Sequence, residues 1–317
     1  MDPSQETQPR ELLRKLELTE QLARGSKLKR FLEHPWRYAS SILHRNLVYP
    51  RRGSVRSVAT STWFGASMYL PLPAGTDIYL TGGKSHDSEL RLARWLIEQL
   101  KPGDHFLDVG AHFGYFSLLA AQCVGPNGRV LAVEAASAAY EVLSRNAMAY
   151  PQIKALHRAA TAKAEELTFY EFPNLYSEYN SIDVEQYRDQ AWFQRNLPRS
   201  VVVQGLALTE LLESDGLQPC VVKIDVEGAE WQVIQGATDH LRKHTPVLVL
   251  EYVSAARGDE QHAKAHTALL ELGYAVHRIK DDGGLEALRG SASDYLLRTG
   301  EESDNLVYAH QQTARPS

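Results

Sequence analysis

The chain has 317 residues, of which 44% are hydrophobic and 23% are charged, a composition typical of globular proteins. This length is sufficient for one large α/β core with an attached segment. The net charge of −5 and the isoelectric point of about 6.2 leave no overall basic surplus, so the composition argues against a nucleic-acid-binding protein.

The sequence carries no sign of a membrane span or of export. No apolar run approaches the roughly 18–20 residues that span a bilayer, and the first residues lack the apolar stretch of a signal peptide. Cys123 and Cys220 each lie in an apolar run, which predicts small buried core residues in a reducing compartment. We therefore expect a soluble, cytoplasmic protein.

Charge is unevenly distributed along the chain. Residues 1–60 carry 12 Lys and Arg against 6 Asp and Glu, a net of +6, whereas the remainder carries 22 against 33, a net of −11. Leucine spacing predicts helix in this part, and Phe31, Trp36 and Tyr38 lie among basic residues. Such a segment either makes peripheral membrane contact or packs on the core with its basic face in solvent, and we favour the packing arm. We assign residues 1–62 to a basic helical N-terminal extension.

Residues 63–104 form a second segment, which precedes the core. Its alternating pattern predicts two short strands, Trp63–Leu72 and Asp77–Leu80, after a polar linker over 51–61. A helix that ends at Leu100 follows these strands.

From His105 onward, apolar strands alternate with helices, which predicts a doubly wound, mainly parallel α/β sheet of the Rossmann-like type. We assign residues 105–312 to this core and predict that the long aromatic stretch 173–199 is an inserted lid over the acceptor. The predicted strands are His105–Val109, Arg129–Glu134, Lys154–Arg158, Val201–Gln204, Cys220–Asp225, Pro246–Tyr252, Tyr274–Ile279 and Asn305–His310.

The turn after the first of these strands is the first candidate ligand site. Gly110 and Gly114 permit positive φ and a close approach of ligand to backbone at a helix N-terminus. Glu134 ends the next strand, where an acid binds ribose hydroxyls in nucleotide sites. Asp108 would repel a pyrophosphate, and the G-x-x-x-G spacing differs from that of NAD sites. The pattern therefore favours a ligand with a cationic group, such as S-adenosylmethionine.

Three further carboxylates are expected at the same edge of the sheet. Asp225 and Glu227 follow one buried strand, and Glu251 ends the neighbouring strand. Their convergence would provide a general base, a hydrogen-bonded network or, least favoured, a divalent-metal site. We take these three as the candidate catalytic residues and assign no metal ligand. Glu230, in contrast, is interpreted as an acid that interacts with a helix N-terminus.

The runs Asp108–Tyr115 (DVGAHFGY) and Lys223–Glu230 (KIDVEGAE), together with Glu134, resemble the FkbM family of S-adenosylmethionine-dependent methyltransferases. The resemblance covers about Ser88–Tyr252. It implies a seven-stranded methyltransferase sheet whose last strand is antiparallel, with S-adenosylmethionine as the cofactor. It also implies O-methylation of a hydroxyl, so the expected partner is a small-molecule or glycan acceptor such as a sugar or natural product.

The resemblance further implies which residues bind the cofactor. His112 stands where the family commonly has Asn, and Ala135 stands where it commonly has Pro; the His112 side chain retains a hydrogen-bond donor. Glu89, beside the loop before the core, is predicted to reach the cofactor. The predicted cofactor-binding residues are Glu89, Asp108, Gly110, Ala111, His112, Gly114, Tyr115, Glu134, Ala160 and Asp225.

Two alternatives to an active methyltransferase remain from the sequence. One is a cofactor-binding scaffold that lacks catalysis, which only a turnover measurement separates from an enzyme. The other, less favoured, is a nicotinamide-dependent oxidoreductase, which the glycine spacing and Asp108 both disfavour.

Overall fold

The computed structural model describes residues 3–26, 31–253 and 260–311, so the outer ends of the predicted extension and core, at residues 1, 2 and 312, lie outside the described residues. The N-terminal part is helical, as predicted. It comprises α1 (Pro3–Ala23), α2 (Pro35–Leu43), a π-helical turn (His44–Val48) and α3 (Tyr49–Arg52).

The segment before the core differs from its prediction. The expected linker over 51–61 contains β1 (Arg56–Ser61), which pairs antiparallel with β2 (Ser67–Leu72). The expected strand Asp77–Leu80 lies in α4 (Thr76–Thr81), where Ile78 and Thr81 are buried on one side of the helical turn. Four residues are too few to separate an alternating pattern from one helical turn. Helix α5 (Asp87–Gln99) follows.

The β1–β2 hairpin crosses the boundary proposed at residues 62 and 63. The division of the chain into an extension, a pre-core segment and a core therefore stays a prediction.

The strands from residue 105 onward form two sheets. They are β3 (His105–Val109), β4 (Arg129–Glu134), β5 (Ile153–His157), β6 (Ala159–Thr161), β7 (Glu165–Glu171), β8 (Arg199–Ala207), β9 (Val221–Ile224), β10 (Val247–Val253), β11 (Tyr274–Ile279), β12 (Leu285–Ala287) and β13 (Ser303–His310). The large sheet has the order β12-β11-β13-β10-β9-β3-β4-β5.

The large sheet confirms the predicted fold class. Strands β5, β4, β3, β9 and β10 are parallel, and β13 is antiparallel to both β10 and β11. Seven of its strands are those predicted, and the short β12 adds an eighth at the edge beside β11. The carboxyl ends of β3, β4, β9 and β10 consequently lie along one edge, where open α/β sheets bind ligands.

Helices cover both faces of the large sheet. They are α6 (Tyr115–Val124), α7 (Ser137–Ala147), α8 (Leu208–Asp215), α9 (Glu230–His244), α10 (Glu260–Glu271) and α11 (Ala292–Thr299). Residues of α5, α6 and α7 form one apolar layer with Phe106, and residues of α8 to α11 form the other with Leu107 and Val109. None of the helices that the structure describes combines the length and apolarity needed to cross a bilayer.

Two further expectations are wrong. The predicted strand Val201–Gln204 lies in β8, which belongs to a separate three-stranded sheet of order β6-β8-β7. Val202 is exposed there, whereas strands of a doubly wound sheet are covered on both faces. Cys123 is buried as expected, but Cys220 is exposed.

Candidate active site

A cavity opens at the carboxyl edge of β3, β4 and β9. It encloses about 760 Å³ of empty space, including its open mouth. Its wall contains six residues predicted to bind cofactor or to act in catalysis: Gly110, His112, Glu134, Ala160, Asp225 and Glu227. Five predicted cofactor residues do not line it, namely Glu89, Asp108, Ala111, Gly114 and Tyr115, and neither does the candidate base Glu251.

The backbone of the turn after β3 requires glycine at two positions. Gly110 has φ +77°, and a Cβ there would lie 1.7 Å from the carbonyl oxygen of Asp225. Gly114 has φ +86°, and its Cβ would lie 2.7 Å from Cδ1 of Leu143 in α7. The loop thus passes close to the end of β9 at one glycine and enters α6 close to α7 at the other.

His112 connects this turn to the 173–199 insert. Its backbone has φ +50°, and its Nε2 lies 3.0 Å from the Ser177 hydroxyl oxygen. Burial, followed by the positive charge of Lys84, lowers the pKa of His112 to about 3, so the ring is neutral. Asn and His are both enriched among residues with left-handed backbone, which explains why His is tolerated where the family commonly has Asn.

The Glu134 side chain is hydrogen-bonded to the turn after β3. One carboxylate oxygen accepts a hydrogen bond from the His112 backbone N–H at 2.7 Å, and the other accepts one from the Ala136 N–H at 2.8 Å. Burial raises the pKa of Glu134 to about 7. Because a carboxylate has about four acceptor positions, two remain for hydroxyl groups in the cavity.

The cation beside Asp108 is a side chain of the protein itself. Asp108 is fully buried, accepts a hydrogen bond from the Ser117 hydroxyl at 2.6 Å, and has Lys223 Nζ 3.6 Å away. Lys223 Nζ also donates to Asp225 at 3.0 Å. The sequence pattern predicts a cationic ligand next to Asp108, whereas the structure places Lys223 there, between Asp108 and the cavity residue Asp225.

The three candidate catalytic carboxylates converge. Carboxylate oxygens of Asp225, Glu227 and Glu251 all lie within 4.8 Å of one another. Burial opposes ionisation of Asp225, but Lys223 outweighs it and holds the pKa of Asp225 below its usual value. Burial and the neighbouring carboxylates raise the pKa of Glu227 well above its usual value and that of Glu251 to about 7. The cluster therefore contains one carboxylate that stays ionised, Asp225, and two whose pKa is raised, Glu227 and Glu251.

Glu227 is held in an unusual backbone conformation by the insert. Its φ is +52°, a conformation that costs a non-glycine residue about 1–3 kcal/mol. The Ser181 hydroxyl donates to its carbonyl oxygen at 2.6 Å, and the Tyr187 hydroxyl donates to its carboxylate at 2.9 Å. Glu230 begins α9, and its carboxylate accepts from the Gly228 N–H, in keeping with the structural role expected for it.

The insert 173–199 has a core of its own. Phe172, Val184, Tyr187 and Phe193 pack together, and Trp192 stacks on Tyr176 with ring centroids 4.7 Å apart. Four insert residues reach the cavity wall: Ser177, Glu178, Asn180 and Ile182. The insert is thus a packed aromatic unit that contributes part of the cavity wall, and its role as a lid over the acceptor stays a prediction.

Lys84 is a site residue that the sequence argument missed. Lys84 lines the cavity and forms an ion pair with Glu89 at 2.7 Å. Glu89 does not line the cavity itself, so its contact with the site is made through Lys84. Tyr115 lies on the far side of this loop, where its hydroxyl accepts a hydrogen bond from Trp63 Nε1 at 2.7 Å. The only sequence signal for Lys84 was its position directly after the glycine pair 82–83.

A second cavity adjoins the first. Lys84, His112, Ser177 and Glu178 line both cavities, so these side chains form the wall between them. The second cavity also contains Arg45 from the N-terminal arm and Asp77 from α4. The two cavities together provide one space for a nucleoside-sized ligand and a separate polar space beside it.

An eight-stranded, mostly parallel sheet with a ligand-sized cavity at its carboxyl edge defines the class of fold, which is Rossmann-like. The family follows from comparison of the sequence. A family model described as the methyltransferase FkbM domain matches residues 108–276, which is more than half of the chain. The chain belongs to the FkbM methyltransferase family.

Two curated proteins are similar to parts of the chain. Methyltransferase sdnD of Sordaria araneosa is 29% identical over 166 residues, which cover 45% of this chain and 64% of that protein. A protein-L-isoaspartate O-methyltransferase of Triticum aestivum is 36% identical over 64 residues, which cover 20% and 26%. The chain therefore spans less than two thirds of the length of either relative.

Solved structures of methyltransferases resemble the chain distantly. The FkbM methyltransferase of Methylobacillus flagellatus has 13% identity and a TM-score of 0.39, with 74% of this chain and 52% of that chain covered. A SAM-dependent O-methyltransferase of Thermotoga maritima has 13% identity and a TM-score of 0.36, with 82% and 79% covered. Aeropyrum pernix fibrillarin, solved with natively bound S-adenosyl-L-methionine, has 15% identity and a TM-score of 0.35, with 66% and 67% covered.

Proposed function

We propose that this protein is an S-adenosylmethionine-dependent O-methyltransferase that acts on a hydroxyl of a sugar, glycan or natural-product acceptor. The observation that carries the proposal is the junction in the first cavity. Gly110 and Glu134 form one part of its wall, and Asp225 and Glu227 form another, beside Glu251. A nucleoside-binding wall and proton-accepting carboxylates thus share one space.

The residues of the first cavity fit S-adenosylmethionine by their chemistry. Glu134 has free acceptor positions for ribose hydroxyls, and Ala159, Ala160 and Phe169 give the cavity an apolar part suited to adenine. Lys84 provides the cation that the carboxylate of the methionine part needs. Asp225, ionised beside Lys223, provides an anion for the positively charged end of the cofactor.

When bound, S-adenosylmethionine supplies an electrophilic methyl group. Of the two carboxylates with a raised pKa, Glu227 lines the cavity and is placed to accept the hydroxyl proton of the acceptor, and Glu251, within 4.8 Å, is the next proton acceptor in the cluster. Tyr187 of the insert donates a hydrogen bond to the Glu227 carboxylate and holds it in place, and Ser177 contacts His112 in the turn after β3. The second cavity shares Lys84 and His112 with the first and contains none of the three carboxylates, so the reacting hydroxyl of an acceptor held there must reach into the first cavity, where Glu227 lies. Positioning of the acceptor supplies a large part of the rate enhancement.

The first prediction concerns cofactor binding. Replacing Glu134 by Ala removes the acceptors for the ribose hydroxyls, so we expect S-adenosylhomocysteine to bind about 10–100-fold more weakly, as loss of charged hydrogen bonds implies. Titration calorimetry measures this, with NAD as a comparison ligand that should not bind. Glu141→Ala, at an exposed position of α7, serves as the control and should leave affinity unchanged. Tight NAD binding would instead support the oxidoreductase alternative.

The second prediction concerns the pH dependence of methyl transfer. A base with a pKa of about 7 is mostly protonated at pH 6 and mostly ionised at pH 8, so we expect the rate to rise about tenfold between them. Glu251→Gln should lower the rate and abolish this rise, whereas Glu210→Gln, exposed on α8, should retain it. Initial rates with labelled methyl donor provide the measurement. An unchanged profile in Glu251→Gln and in Glu227→Gln would rule out the general-base role.

The acceptor is sought with the same labelled donor against a panel of hydroxylated sugars and glycolipids. Transfer to an oxygen of any of them supports the proposed reaction. Cofactor binding without transfer to any acceptor would support the inactive scaffold. Cytoplasmic location also stays a prediction.

A further inference from the structure

The N-terminal arm, which we define as residues 31–52, leaves a row of apolar side chains in solvent. Leu32, Trp36, Leu43 and Leu47 are 68%, 87%, 55% and 45% exposed, respectively. Trp36 and Leu43 are seven positions apart in α2 and lie on one side of that helix, whereas Leu32 precedes α2 and Leu47 lies in the π-helical turn that follows it. We call these four residues the apolar stripe. Trp36 is the largest side chain in it, and burial of such a ring in an apolar phase is strongly favourable.

The other side of the arm is attached to the protein. Arg37 donates a hydrogen bond to Thr60 at 3.5 Å, Ser41 is buried, and His44 Nε2 lies 3.0 Å from the Ser54 carbonyl oxygen. Tyr49 is buried as well, and its hydroxyl accepts a hydrogen bond from the Leu175 N–H in the lid. The arm therefore packs as expected on one side while presenting the stripe on the other.

The arm carries a net positive charge. Residues 31–52 contain four arginines and one acidic residue, Glu33, whereas residues 61–317 carry a net charge of −11. The exposed arginines of the arm include Arg45, Arg51 and Arg52. An anionic surface would attract the arm and repel the rest of the molecule, which selects one orientation of the chain on that surface.

We propose that the arm binds the surface of an anionic membrane. The apolar stripe enters the boundary between headgroups and acyl chains, and the arginines remain at the level of the lipid phosphates. A row of four side chains is narrow for a protein–protein interface, which usually buries about 1,200–2,000 Å². A bilayer can bind a narrow row of apolar side chains because lipids rearrange around the helix. Anionic headgroups also provide negative charge along the full length of the arm. This proposal is independent of the methyltransferase reaction.

The test uses the full chain and vesicles in a flotation assay. One set of vesicles is phosphatidylcholine alone, and the other contains phosphatidylglycerol in addition. We expect binding to the anionic vesicles that weakens as the salt concentration is raised, because screening reduces the range of the electrostatic attraction between the arginines and the lipid headgroups. The double variant Trp36→Ser/Leu43→Ser should bind at least tenfold more weakly. Both positions are exposed, so thermal unfolding should match that of the unaltered chain.

The matched control is the double variant Met148→Ser/Leu297→Ser, which removes two exposed apolar side chains away from the arm, 83% and 72% exposed. It should bind the anionic vesicles as the unaltered chain does. Absence of binding to anionic vesicles, equal binding to neutral ones, or equal loss in both double variants would overturn the proposal. Sedimentation that shows a dimer dependent on Trp36, without vesicle binding, would assign the stripe to a second copy of the chain instead.

Discussion

Replacing Lys223 by Met is expected to lower the free energy of unfolding by about 3–5 kcal/mol, the usual cost of removing one partner from a buried ion pair. Lys223 is 3% exposed and is the cation 3.6 Å from the fully buried Asp108. Ser117 alone would then have to stabilise that carboxylate. Burial already raises the pKa of Asp108 and Lys223 lowers it, so the variant should take up a proton there more readily than the unaltered chain.

Urea unfolding of the variant measures this loss. Lys154→Met is the matched control, because Lys154 forms its ion pair with Asp215 while 55% exposed and should cost at most about 1 kcal/mol. Adding Asp108→Asn to Lys223→Met removes the unpaired charge and should restore part of the stability. Equal losses in the two single variants would contradict the account of Lys223 as the partner of a buried charge.

Replacing Gly110 by Ala is expected to lower the free energy of unfolding by about 2–4 kcal/mol, since it combines backbone strain with overpacking. The new Cβ would lie 1.7 Å from the Asp225 carbonyl oxygen, so the turn after β3 and the end of β9 must separate. Asp225 lines the cofactor cavity. We therefore also expect affinity for S-adenosylhomocysteine to fall by at least tenfold.

Gly103→Ala separates the two causes. Gly103 has φ +91°, and a Cβ there meets no atom within 4 Å, so only the backbone strain of about 1 kcal/mol should appear. Thermal or urea unfolding of both variants gives the comparison. If the two substitutions cost the same, the close approach of Gly110 to Asp225 is not what requires glycine in this turn.

The strands of the large sheet were predictable because each is a short apolar run bounded by turn residues. The alternation from His105 onward predicts parallel neighbours, and β3, β4, β9 and β10 lie where that pattern requires. The prediction failed at Asp77–Leu80 and at Val201–Gln204. In the first case the pattern is too short, and in the second a local strand pattern does not specify which sheet the strand joins.

The site was predictable where residue type and strand end coincide. Glycines at a turn and acids at the tips of buried strands are unusual, so Gly110, Glu134 and Asp225 could be assigned to the cavity from their local context. Ser177 and Tyr187 could not, because both reach the site from the insert by long-range contacts with His112 and Glu227. No local pattern marks such contacts.

The sequence by itself determined the class of sheet, the family and the edge at which the ligand cavity lies, since these depend on local apolar patterns and on two short motifs. Only the tertiary structure decided what compensates Asp108. Its charge is met by Lys223 because parallel pairing of β3 with β9 places Asp108 beside Lys223, 115 positions further along the chain. The structure likewise decided that one side of the N-terminal arm stays apolar and exposed, because exposure depends on how the helix is seated on the protein.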